Sequence, residues 1–122
     1  MTQSESHMPY DEALANRVRA ALGSTRRVEE KTIFGALAFM VAGKMCVTVS
    51  KDRIMCRIDP AIHNPVVQRP GCRIVVMKGR QYRGYVHVDA DAVRRKDDLD
   101  YWVGLALDHN RQAKTSTRRR KR

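Results

Sequence analysis

Cysteine is scarce in this chain and odd in number: Cys46, Cys56 and Cys72 are the only three, and no two of them form a CxxC pair. Reduced thiols in a cytosol fit that pattern best. Nowhere do about eighteen apolar residues run together, which excludes a helix long enough to cross a bilayer, and the N-terminus lacks the apolar stretch of a secretory signal. The sequence therefore leads us to expect a soluble, cytoplasmic protein. Aromatic residues make up only 6% of the chain. With no RNP-like or helix-turn-helix pattern beside them, base-specific reading of nucleic acid is not supported.

Catalytic signatures are missing as well. His7, His63, His87 and His109 are scattered without HExxH-like spacing, and His87 would meet Cys46 or Cys72 as a catalytic couple only if the fold converged them. Asp89, Asp91, Asp97, Asp98 and Asp100 lack the glycine and glutamate of an EF-hand loop. The stretch 79–84 is basic and flanked by glycines, yet it is neither a P-loop nor a GxGxxG, and it reads as a plain hairpin loop. We expect no enzyme, no cofactor and no metal site.

What remains is one domain's worth of chain: 122 residues, 43% of them hydrophobic, enough for a single modest core that needs no disulfide or metal. There is no internal repeat and no interior linker long enough to separate two domains. The formal charge of +11 is lopsided. Arg111, Lys114, Arg118, Arg119, Arg120, Lys121 and Arg122 follow one another without an acid, leaving seventeen basic against thirteen acidic residues over 1–110. A polar leader at 1–8, a folded body at 9–110 and a basic disordered tail at 111–122 are the expected divisions.

Within the body, Leu14, Val18 and Leu22 recur at helical spacing behind Asp11 and Glu12, and Gly23 follows, which predicts a helix over 11–22. From 28 to 58 the residues turn β-branched, broken at Gly35, Ala42-Gly43 and Lys51-Asp52, the pattern of an antiparallel meander. A two-residue turn at Lys51-Asp52 pairs Ser50 with Arg53. That register puts Met45, Val47 and Val49 with Ile54, Cys56 and Ile58 on an apolar face, and Cys46, Thr48 and Ser50 with Arg53, Met55 and Arg57 on a mixed one. Cys46 and Cys56 would then point apart. The strand 36–41 is apolar on both sides and so central or covered twice. Pro65 predicts a short or broken helix in 61–68, and 72–77 with 85–88 forms a second hairpin around a 78–84 connection. Leu99, Trp102, Val103, Ala106 and Leu107 mark a final amphipathic helix that Asp97 or Asp98 can cap. Trp102 should be the costliest core residue to truncate.

The run KTIFGALAFMVAGKM at 31–45 resembles the TfoX (Sxy) N-terminal domain family, whose pattern there is similar to K-x-M-F-G-G-L-A-F-x-V-N-G-x-M. The likeness continues through Arg69-Pro70-Gly71, Met77-x-Gly79-Arg80, Gly84-Tyr85-Val86-x-Val88 and the Trp102 helix, covering about 9–109. Ala36 replaces a common second glycine, Ala42 a common asparagine, and His63-Asn64-Pro65 interrupts the usual central helix. The resemblance implies an α+β domain with a curved antiparallel sheet of about five to six strands, an N-terminal helix, a short central helix and a C-terminal helix. In the longer competence regulators this domain precedes a helical one, and those proteins act with a cyclic-AMP receptor protein type activator; a chain of this length is expected to lack that second domain.

Three functional expectations follow. The first is a non-enzymatic regulatory or adaptor domain that binds a protein, a transcription factor among the candidates, through the mixed sheet face or a loop, with Arg53, Arg57, Arg80 and Arg83 as contact residues. The second is an accessory, sequence-nonspecific nucleic-acid binder using the seven basic residues of the tail, for which seven phosphate contacts on a duplex give a log K against log salt slope of about −6. The third, a thiol enzyme using Cys46 or Cys72, lacks an evident base. A homodimer is open, with 36–41 near a self-association surface.

Overall fold

Asp11 begins the first element. Its carboxylate accepts the Leu14 N–H at 3.0 Å, and helix α1 (Glu12–Leu22) runs to Gly23, whose φ of 57° ends it. Leu14, Ala15, Val18 and Leu22 form its buried stripe. The computed structural model describes residues 10–33 and 35–113, so the leader at 1–8 and the tail from Lys114 onward lie outside the described residues.

Strands β1 (Val28–Ile33), β2 (Ala36–Val41), β3 (Lys44–Val49) and β4 (Arg53–Arg57) form the expected meander. A 3-10 turn at Pro60–Ile62 then leads into α2 (His63–Val66), where Pro65 sits in a first turn that asks no hydrogen bond of it. Strands β5 (Cys72–Met77) and β6 (Arg80–Asp89) complete one antiparallel sheet in the order β1-β2-β3-β4-β6-β5. A second 3-10 turn at Ala90–Val93 leads into α3 (Lys96–Gln112). This is the α+β architecture expected, with six strands.

The turn at Lys51-Asp52 sets the register as anticipated: the Ser50 N–H donates to the Arg53 carbonyl at 2.9 Å, Val49 faces Ile54 and Val47 faces Cys56. Leu37, Phe39, Val47, Val49, Ile54, Cys56, Val86 and Val88 thereby share one face and join one core cluster. Helix α3 covers β3 and β4 and packs against α1, turning Leu99, Trp102, Val103 and Ala106 inward. Val66 of α2 and Val93 enter the same cluster. The helices thus lie on one side of the sheet.

Alternation fails at Cys46. Phe39 faces Val47 while Met40 faces Met45, so the pairing slips by one residue and Cys46 is the extra residue of a β-bulge. The bulge turns Cys46 inward beside Val47, fully buried in the same core as Cys56 instead of pointing away from it. Met45 moves to the other face, half-buried. Two boundaries also shift. Met77 pairs with Arg80 across a two-residue turn at Lys78-Gly79, so most of the stretch read as a loop is strand. Helix α3 begins at Lys96 with no side-chain cap; Asp97 and Asp98 favour the positive end of its dipole without capping it.

The far end of α3 is tied to the β2–β3 hairpin. The Lys44 ammonium donates to the carbonyls of Asn110 at 2.6 Å and Ala113 at 3.0 Å, the orphan acceptors of a helix C-terminus. Asn110 Nδ2 donates to the Val41 carbonyl at 3.2 Å. In the turn between, Ala42 has φ 54° and Gly43 φ 78°. A left-handed alanine costs about 1 kcal/mol, whereas asparagine tolerates this turn. Ala42→Asn should therefore raise stability by about 0.5–1 kcal/mol, several degrees in Tm, and an unchanged or lower melting temperature would refute this reading of the turn.

Candidate functional site

Antiparallel pairing puts directly opposite residues on the same face. One row crosses all six strands on the side away from the helices: Lys31 faces Ala38, Ala38 faces Thr48, Thr48 faces Met55, Met55 faces His87, and His87 faces Arg73. On either side of it Arg53 stands opposite Asp89 and Arg57 opposite Tyr85. Where the helix-covered face is sealed, Thr48, Arg53, Met55, Arg57, Tyr85 and His87 are half-buried, and Lys31 and Arg73 are exposed. This is a wet sheet face, built of long cations and rings with a thin apolar floor.

Its electrostatics are unbalanced. Arg73 forms an ion pair with Asp89, but Arg53 and Arg57 make no ion pair or side-chain hydrogen bond among the described residues. The Arg57 guanidinium lies 5.8 Å from the centre of the Tyr85 ring. Tyr82 meets Tyr85 edge to face with centroids 6.4 Å apart. Burial, then the charges of Arg53 and Arg73, hold the His87 imidazole below its ordinary pKa against the opposing pull of Asp52 and Asp89.

Of the anticipated contact residues, Arg53 and Arg57 lie on this face. Arg80 is exposed at the start of β6. Arg83 is engaged elsewhere: it donates to the Asn64 side chain at 3.0 Å and the Pro60 carbonyl at 3.1 Å, fastening α2 to β6. Arg111 belongs to the last turn of α3 and pairs with Asp108 at 2.7 Å, while Lys114, Arg118, Arg119, Arg120, Lys121 and Arg122 lie outside the described residues. Arg73, Tyr85 and His87 were not singled out as contacts. The alternation of Tyr85 and His87 with the buried Val86 and Val88 was the available signal.

Other sites offer less. A cleft of about 460 Å³ beside Arg69, Arg94, Arg95 and Trp102 also holds Asp91 and Asp98, Arg94 and Arg95 pair with Asp91 and Asp97, and Arg69 packs on the Tyr101 ring at 4.0 Å. The cysteines are buried. Desolvation pushes Cys46 and Cys72 up to about 11 and raises Cys56 as well, which withholds the thiolate that nucleophilic chemistry needs. Among the described residues no three His, Cys, Asp or Glu side chains gather as a metal site, and no helix is long and apolar enough to cross a membrane.

The family model of the TfoX N-terminal domain matches residues 20–110. The chain belongs to that family. No curated protein and no solved structure matches it at a significant level. The TfoX motif at 31–45 supplies β2 and the start of β3, so the family pattern describes the sheet's frame, whereas Arg53, Arg57 and Arg73 lie outside the stretches that carry the resemblance.

Two measurements follow for this TfoX domain. Thiol reagent at pH 8 should leave the native cysteines unlabelled and modify all three once the chain is denatured; a thiol that reacts natively at the rate of free cysteine would revive the thiol-enzyme reading. The second concerns acid. His63, His87 and His109 all have pKa values lowered chiefly by burial. His63 Nδ1 accepts the Gly84 N–H at 3.1 Å, which in the neutral ring leaves the proton on Nε2. Below about pH 6.5 the unfolded chain takes up protons that the folded imidazoles refuse, so stability present above that pH is lost as pH falls. Urea midpoints should drop between pH 7.5 and 5. His63→Asn, whose Oδ1 can accept the Gly84 N–H without titrating, should narrow the gap, and an unaltered gap would clear His63 of the effect.

Proposed function

We propose that this TfoX N-terminal domain is a non-catalytic binding module, regulatory or adaptor in role and acting in the cytoplasm, which works by docking a negatively charged macromolecule on the open face of its sheet. The observation that carries the reading is that Arg53 and Arg57 make no ion pair or side-chain hydrogen bond among the described residues. Arginines held on a sheet face whose donors meet no acid among the described residues are available to an external anion. Buried, protonated thiols and separated histidines support a role without catalysis.

The test compares two full-length variants with the same loss of charge. Arg53→Gln with Arg57→Gln removes two cations of the face that have no ion pair among the described residues; Arg94→Gln with Arg95→Gln removes two exposed cations that already have intramolecular partners. On immobilised heparin the first pair should elute at clearly lower salt than wild type and than the second. Equal elution of the two double variants would mean that bulk charge, and not the face, makes the contact.

A further inference from the structure

Resting on that reading of the face, we infer that the macromolecule is single-stranded nucleic acid, its phosphates held by Arg53 and Arg57 and a base stacked at Tyr85. The argument begins with what lies between the two arginines. Residues 53 and 57 point the same way from one strand, about 13 Å apart at roughly 3.3 Å per residue. Between them the register sets Met55 against His87, and beside Arg57 it sets Tyr85. The cations are therefore separated by a floor of flat or apolar side chains, with one ring already positioned by Arg57 at 5.8 Å and by the edge of Tyr82 at 6.4 Å.

A ligand that uses this whole surface must carry spaced anions and planar apolar groups together. An acidic peptide supplies the anions and leaves the floor uncovered. A duplex supplies phosphates on a convex backbone, with its bases stacked inside and out of reach of Tyr85. An extended single strand supplies both, because each base offers a π-face for an aromatic ring and each phosphate suits the planar fork of a guanidinium. Phosphate contacts and stacking carry no sequence information of their own, so this binding is largely indifferent to sequence.

Fluorescence anisotropy of a labelled oligothymidylate tests this with full-length protein, each variant first checked by thermal melting. Arg53→Gln with Arg57→Gln should weaken binding tenfold or more and flatten the log K against log salt slope by about 1.4, at roughly 0.7 per phosphate for single strands. Tyr85→Leu should weaken it about tenfold with the slope unchanged, and Tyr85→Phe, which keeps the ring, should restore it. Binding of polyglutamate that depends on both arginines, with oligothymidylate bound no better and indifferent to Tyr85→Leu, would overturn the nucleic-acid assignment and leave the binding face standing. Failure of every polyanion to respond to the arginines would overturn both. Oligothymidylate binding that survives the face variants and vanishes when Arg118 to Arg122 are changed to glutamine would give the site to the tail, and a preference for duplex would equally refute the inference.

Discussion

The packing of α3 across β3 and β4 governs the rest of the molecule. Trp102, Val103 and Ala106 meet a face in which Val47, Val49, Ile54 and Cys56 are all fully buried, and α1 closes onto α3 beside them. Non-directional apolar burial of this kind is the main favourable term in a fold of this size. Because the helical layer occupies one side of the sheet, side chains on the other side such as Arg53, Arg57, Tyr85 and His87 stay within reach of water or a partner. The Lys44 and Asn110 contacts then fix where α3 ends.

The sheet's two edges are treated differently. β1 carries Glu29, Glu30 and Lys31, all exposed, and such charges discourage edge-to-edge pairing. β5 exposes Ile74, Val76 and Met77, but its pairing with β6 is irregular between Ile74 and Val76, and a break in regularity also spoils a template for a further strand. β2, where a self-association surface was expected nearby, is an inner strand flanked by β1 and β3, and its apolar Leu37, Ala38 and Phe39 are buried within the chain itself.

Much of this was legible in the residues. Leu14, Val18 and Leu22 announced α1, Trp102 and its neighbours announced α3, and Lys51-Asp52 fixed the β3–β4 register that places Arg53 and Arg57 on the open face. The bulge was not legible, because period-two reading assumes an unbroken ladder, and MCVTV alternates equally well with Met45 or Cys46 inward. The length of β6 was obscured by Arg80, Gln81, Arg83 and Gly84, residues that favour turns or solvent in isolation and are held extended here by pairing with β5 and by contacts to α2. Arg83 looked like its neighbours in the sequence; only the carbonyl of Pro60 and the amide of Asn64 distinguish it as structural.

The contrast between Arg83 and Arg57 is the step from fold to function. Both are arginines at strand positions near α2, but one spends its donors on the chain itself while the other keeps them and rests on an aromatic ring. A guanidinium with no acidic partner among the described residues adds little to the stability of β4, where a well-packed neutral residue would serve as well. Departures from local consistency of this kind are expected where a surface has been shaped for something outside the chain. Among the described residues the cations with acidic partners are Arg19, Arg73, Arg94, Arg95, Lys96 and Arg111, most of them on or beside the helices. On the uncovered face of β4 the donors of Arg53 and Arg57 have no acidic partner among the described residues, and there the ring of Tyr85 gives them a surface with a shape as well as a charge.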